Sequence, residues 1–188
     1  MLESLQQAAS EIGRASAFGA WKGAAGDGVS LRERQGLAII ELAAFSRSET
    51  VRETLSQTLG VALPKPGLSS ETGGIAALST GPARWLLIAP EGTAAGLPAP
   101  PEDMAGMIDL SHGRAILSIS GANAVRTLMK GTAIDLDPEV FAPGAVAVTA
   151  LARVPVVIWR RGNIYDVIVA RSYAVTILEW LTAAGGLA

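Results

Sequence analysis

The runs Val156-Val157-Ile158-Trp159-Arg160 and Tyr165-Asp166-Val167-Ile168-Val169 stand on either side of Arg161-Gly162-Asn163-Ile164. Two short runs rich in β-branched and aromatic residues around a Gly-Asn pair make an antiparallel hairpin, because Gly and Asn accept the positive backbone angles of a tight turn. The two-residue period of a strand predicts that Tyr165, Val167 and Val169 share the core face. At least this part of the chain is committed to β structure.

Other elements follow from the same periodicities. Leu37-Ala38-Ile39-Ile40 and Trp85-Leu86-Leu87-Ile88 read as buried strands, and Ala115, Leu117 and Ile119 alternate with Ile116, Ser118 and Ser120. Three helices are expected between and after the strands. Ser46-Arg47-Ser48-Glu49 has the spacing of a capping box ahead of Val51, Leu55 and Leu59, and Gly60 ends that helix. Ser120 or Asn123 caps a second, with a buried stripe of Val125, Leu128 and Met129 before Gly131. Ser172 opens a third, with Ala174, Ile177, Leu178 and Leu181 on one face before Gly185-Gly186.

Taken together, strand 37–43, helix 47–59 and strands to residue 89 repeat as strand 114–119, helix 121–130 and strands to residue 170, followed by the closing helix. The predicted class is α+β, with duplicated β-α-β subdomains in a single domain over residues 29–188. Its halves span about 29–90 and 102–188. Pro90, Gly92, Gly96, Pro98, Pro100 and Pro101 mark residues 90–101 as the linker. Residues 1–28 read as an N-terminal arm that needs something to lie against.

Composition narrows function by exclusion. The chain of 188 residues has no cysteine, which removes disulfides, thiolate metal sites, iron-sulfur ligation and cysteine nucleophiles, and fits a reducing cytosol. A net charge of -2 from 15 basic and 17 acidic residues offers no basic stripe for nucleic acid. The start MLESLQQAASEIGR lacks the pattern of a secretory signal, and no apolar run approaches membrane-spanning length, so a cytoplasmic protein is expected. Only 17% of residues are charged while 49% are hydrophobic, which fits either a partner-covered surface or an ordinary alanine-rich domain.

The chemistry-bearing residues read as architecture. Ser111 and His112 are adjacent, whereas a serine–histidine couple needs side chains brought together by the fold, and there is no G-x-S-x-G elbow. His112, the single histidine, is expected to be structural or at an interface. Ser120-Gly121-Ala122-Asn123 enters a helix from a strand but lacks a dinucleotide or P-loop motif. Asp135 and Asp137 before Pro138 read as a turn, and Trp85 and Trp159 as core or interface anchors. No catalytic, cofactor-binding or metal-ligating residue is assigned.

Three blocks then carry a resemblance. IDLSHGRAILSISGANAVRTLMKGTAIDLDPEVFAPG (108–144), TGPARWLLIAP (80–90) and LARVPVVIWRRGNIYDVIVARSYAVTILEWL (151–181) resemble, in order, the gamma subunits of heterotetrameric sarcosine oxidases. The central block is also similar to the glycine-cleavage aminomethyltransferases and their folate-binding relatives, whose duplicated subdomains agree with the repeat. The Gly-Gly-x-x-Asp-Asp-type segment that carries the transferase's acidic residue is absent, and Lys130-Gly131-Thr132 stands where iron-sulfur-linked relatives have Lys-Gly-Cys. The resemblance implies a non-catalytic subunit of a complex that demethylates sarcosine to glycine, forming hydrogen peroxide and methylenetetrahydrofolate. It places FAD, FMN, NAD, tetrahydrofolate and zinc in the partner alpha, beta and delta subunits. The alternative is an independent folate or one-carbon binding protein of the same fold.

Overall fold

A computed structural model describes residues 15–187. Its strands are β1 (Ala24–Gly26), β2 (Val29–Glu33), β3 (Leu37–Ala44), β4 (Ser69–Thr72), β5 (Ile75–Gly81), β6 (Arg84–Pro90), β7 (Ala105–Asp109), β8 (Arg114–Ser120), β9 (Val146–Leu151), β10 (Val154–Arg161) and β11 (Ile164–Ala170). The helices are α1 (Glu49–Leu59), α2 (Glu91–Ala94), α3 (Ala124–Met129) and α4 (Ala174–Ala184), the last entered through a 3-10 turn at Arg171–Tyr173. They build two antiparallel sheets, ordered β1-β2-β8-β11-β10-β9 and β4-β5-β6-β3-β7.

Strand alternation sorts the side chains into three apolar layers. Leu37, Ile39, Leu78, Leu86 and Ile88 of the five-stranded sheet meet Ile116, Val157, Trp159 and Ile168 of the six-stranded one. On the opposite face of the six-stranded sheet, Leu117, Ile119, Ile158, Val167 and Val169 pack under Leu128 of α3 and Ile177 and Leu181 of α4. On the outer face of the five-stranded sheet, Ile40, Leu42, Trp85 and Leu87 pack under Leu55 and Leu59 of α1. The strands are therefore apolar on both faces, as layered burial requires.

The predicted hairpin is β10–β11, in register from Val156↔Val169 to Arg161↔Ile164, with Tyr165, Val167 and Val169 on the core face beneath the helices. Of its two turn residues only Gly162 has positive φ, at 59°. The connectivity on either side corresponds. β3 leads through α1 to β4, β5 and β6 in the order β4-β5-β6-β3, and β8 leads through α3 to β9, β10 and β11 in the order β9-β10-β11-β8. The strand before each run crosses over: β2 pairs with β8, and β7 with β3.

Several local expectations are corrected. α1 is capped by Ser48, whose Oγ accepts from Val51 N, while Ser46 Oγ accepts from Ser48 N and Glu49 bonds Arg52 rather than reaching back. That Arg52 hydrogen bond holds the Glu49 carboxyl below its ordinary range. Met129 is 46% exposed, whereas Leu128 is buried and Val125 packs partly buried against the core, with Ala124 and Thr127 completing the buried side of α3. Ser172 lies inside the 3-10 turn, two residues before α4 begins. Residues 91–94 of the expected linker form a helical turn, and Ala94 and Leu97 pack against the core.

Of the expected arm, residues 1–14 lie outside the described residues, and the remainder lies on the six-stranded sheet. Phe18 is buried against that core, Ser16 Oγ donates to Glu33, and β1 pairs with β2.

Candidate functional site

The single histidine and its neighbour part company in the fold. Ser111 is buried, its Oγ accepts from Ile39 N at 2.9 Å and its own N donates to Asp109 Oδ1 at 2.8 Å, so the hydroxyl ties the β7–β8 turn to β3. His112 is exposed in that turn. Asp135 Oδ1 accepts from Asp137 N and Asp137 Oδ1 from Glu139 N, consecutive side-chain turns beside fully buried Leu136. These carboxylates shape a loop, as their sequence context implied.

The strand-to-helix turn after β8 is filled by the chain itself. Gly121 has φ 107°, and a Cβ there would lie 2.2 Å from the Gly28 carbonyl oxygen, so only glycine fits. Asn123 N donates to Gly28 O at 3.0 Å and Asn123 Nδ2 to Asp27 O at 2.7 Å. Both Asn123 donors at this helix entry are thus spent on carbonyls of the chain itself.

Both tryptophans are interior anchors. Trp85 donates from Nε1 to Pro64 O at 2.9 Å under α1. Trp159, 2% exposed, donates from Nε1 to Ser69 Oγ at 2.9 Å and so joins the two sheets. Around it lies a cluster that no sequence motif marked. Asp166, fully buried and paired across the hairpin with Trp159, accepts from Arg34 Nη1 at 2.7 Å and Arg161 Nε at 2.9 Å, both on Oδ2. Ser118 Oγ donates to its Oδ1 at 2.5 Å. The guanidinium carbons of Arg34 and Arg161 lie 5.9 and 5.6 Å from the Trp159 ring centre, within cation–π range. Both carboxylate oxygens are engaged, so the group locks one end of the inter-sheet layer.

Behind the hairpin, buried Arg160 donates to Gly162 O at 3.0 Å, Pro138 O at 2.9 Å and Phe141 O at 2.5 Å. Phe141 stacks on Tyr165 at 6.3 Å. The Tyr165 hydroxyl is buried without a hydrogen-bond partner among the described residues, and burial raises its pKa above the ordinary 10.0, with the Arg160 charge opposing.

The other end of the layer is open. A cleft of about 230 Å³ lies there between the sheets, lined by Glu41, Thr80, Arg84 and Leu86 on one side and Arg114, Val148, Pro155 and Val157 on the other. A larger cleft of about 410 Å³ lies beside β1 and β2, lined by Trp21, Lys22, Arg32 and Glu33 among others. Glu33 there accepts from Ser16 Oγ at 2.6 Å and Ala17 N at 3.0 Å. Among the described residues no group of three His, Asp or Glu side chains is placed to hold a metal ion, and no helix is long and apolar enough to cross a membrane.

Comparison with known proteins gives this scaffold a family. The sarcosine oxidase, gamma subunit family model matches residues 43–186. Sarcosine oxidase subunit gamma of Corynebacterium sp. strain P-1 is 36% identical over 133 residues, covering 68% of this chain and 66% of that protein. The Arthrobacter sp. subunit is 36% identical over 117 residues, 58% and 56% of the two chains, so the chain matches a little under two thirds of one relative and over half of the other. Among solved structures, a chain of the heterotetrameric sarcosine oxidase from Corynebacterium sp. U-96 in complex with pyrrole 2-carboxylate superposes with a TM-score of 0.74 at 30% identity, covering 87% of each chain. The glycine cleavage system aminomethyltransferase T of Bartonella henselae shares the fold, with a TM-score of 0.60 at 19% identity over 82% of this chain and 45% of that one. With the family match running from the end of β3 through α4, the chain belongs to the sarcosine oxidase gamma subunit family.

Proposed function

We propose that this chain is a non-catalytic, structural subunit of a heterotetrameric sarcosine oxidase, a cytoplasmic complex that oxidatively demethylates sarcosine to glycine. The observation that carries this reading is the likeness to a chain of the U-96 heterotetramer over 87% of both chains. The chemistry-bearing side chains support it: Ser111 Oγ, Asp135 Oδ1, Asp137 Oδ1 and both oxygens of Asp166 are taken up by the fold. In this reading the partners are the alpha, beta and delta subunits, which hold FAD, FMN, NAD, tetrahydrofolate and zinc.

The domain organisation proposed with it is an arm of residues 1–28 and one duplicated body of residues 29–188, with halves 29–90 and 102–188 joined through 90–101. Matching strand orders in the two sheets support the duplication. The shared fold with an aminomethyltransferase favours one alternative, an independent folate or one-carbon binder.

Co-expression with the three partner subunits, followed by affinity purification and size exclusion with light scattering, tests the proposal. A stable four-chain complex with sarcosine oxidase activity is expected, while the isolated chain is colourless. Failure to associate at micromolar concentration, with all subunits folded and flavin-loaded, rejects the subunit role. Saturable micromolar binding of tetrahydrofolate by the isolated chain supports the alternative.

A further inference from the structure

Resting on the subunit role, we infer that the open end of the inter-sheet layer is a docking surface for a partner oxidase subunit, and that the segment it receives carries apolar side chains flanked by carboxylates. The apolar part of the inference comes from strand alternation. The inner face of β3, buried at Leu37 and Ile39, continues through Glu41 and Ala43 to Phe45, which is 67% exposed. Opposite Glu41 on edge strand β7 stands Ile108, 61% exposed. The other sheet runs out in the same way: inner-facing Val157 is followed across the ladder by Val148, 58% exposed, with Pro155 exposed beside them. This is interior surface carried beyond the sheet that covers it, and such surface marks an interaction site.

Charge selects the occupant. Arg84 and Arg114 line the cleft against one carboxylate, Glu41, whose pair with the largely exposed Arg84 is long at 3.7 Å. Arg153 is exposed in the β9–β10 turn, two residues before Pro155 of the cleft lining. It sits there at φ 70°, after Ala152 at φ 50°, in a two-residue turn that Gly would complete without strain. Two guanidinium groups lining an apolar slot complement carboxylates around an apolar side chain, the arrangement that steers and orients association.

The absence of cysteine makes the test clean. Val148→Cys places one thiol in the slot, Ile108→Cys places one on β7 opposite the slot residue Glu41, and Val175→Cys places one on exposed α4. Labelling by N-ethylmaleimide is followed in the isolated chain and in the assembled oxidase. The first two thiols should react at least about tenfold more slowly in the complex, as burial at an interface core implies. Equal rates would overturn the inference. So would protection that grows with the concentration of the isolated chain, which assigns the slot to a second copy. The Arg84→Glu/Arg114→Glu variant should weaken assembly about tenfold or more without moving the melting temperature, with a reduced salt dependence. Arg126→Glu, away from the cleft, should leave assembly unchanged. If the wild-type chain never enters the oxidase, the subunit reading fails first. If it enters and the first two thiols label freely, only the docking surface fails.

Discussion

At one end of the inter-sheet layer Trp159 is 2% exposed beneath two guanidinium groups bonded to a fully buried carboxylate, whereas at the other Val148 is 58% exposed and an ion pair spans 3.7 Å. The two ends are built on corresponding strands. Pairing runs Leu37↔Pro90 to Glu41↔Leu86 in one sheet and Arg114↔Ala170 to Ser118↔Asp166 in the other, so the fifth pair of each ladder sets Glu41 opposite Leu86 and Ser118 opposite Asp166. Moving the carboxylate one strand over changes what it can gather. At Asp166 it collects two arginines and a hydroxyl over an indole, while at Glu41 it meets one largely exposed arginine. Polar groups thus close the layer where every acceptor is filled, and leave it accessible where they are not.

The sharpest way to break this contrast is Trp159→Ala, which removes the plug at the closed end. The loss should be about 3–5 kcal/mol by urea unfolding, and a loss under about 1 kcal/mol would show that the end is not sealed by packing. Asp166→Ala comes next, leaving two partly exposed arginines and Ser118 without their shared partner. Its cost should be about 3 kcal/mol, at the low end for breaking a buried ion pair because both arginines keep some contact with water.

Tyr165→Phe sharpens the comparison on the opposite face of the same hairpin. Deleting a buried hydroxyl without a partner among the described residues should leave stability unchanged or raise it by up to about 1 kcal/mol. Because burial raises this phenol's pKa, the folded state keeps its proton at a pH where the unfolded chain has released it. The contribution is complete below the ordinary 10.0 and is lost as pH climbs from there through the raised value. Urea midpoints across alkaline pH should fall for the wild type and fall less for the Phe variant. Smallest of all, Arg84→Ala at the open end should change stability by no more than about 0.5 kcal/mol, since its ion pair is long and solvated.

Local pattern made the hairpin, the alternation of β8 and the three helices legible, because periods of two and near four residues are written into adjacent residues. Boundaries were less so. Two serines two residues apart offer the same capping chemistry, and only the backbone chooses Ser48. β7 went unseen because Ala105, Gly106 and Met107 have weak strand preference and are held by pairing with β3. The Asp166 cluster left no signal at all, since Arg34 is 132 residues away and meets it only after β2 has paired with β8 in the six-stranded sheet. Met129 was misplaced because it is the last residue of its helix, one turn beyond Val125, which packs partly against the core.

The exchange of β2 and β7 between sheets also sets a schedule for folding. When the ribosome has produced the first half, β2 must wait for β8, whose residues lie more than eighty positions later, and β3 must wait for β7. Neither half can finish its own sheet, so the chain's loop-closure cost falls late and non-local pairing dominates its folding rate. Cutting the chain between residues 94 and 105 would therefore yield two fragments that complete each other only when mixed, each supplying the strand that the other lacks.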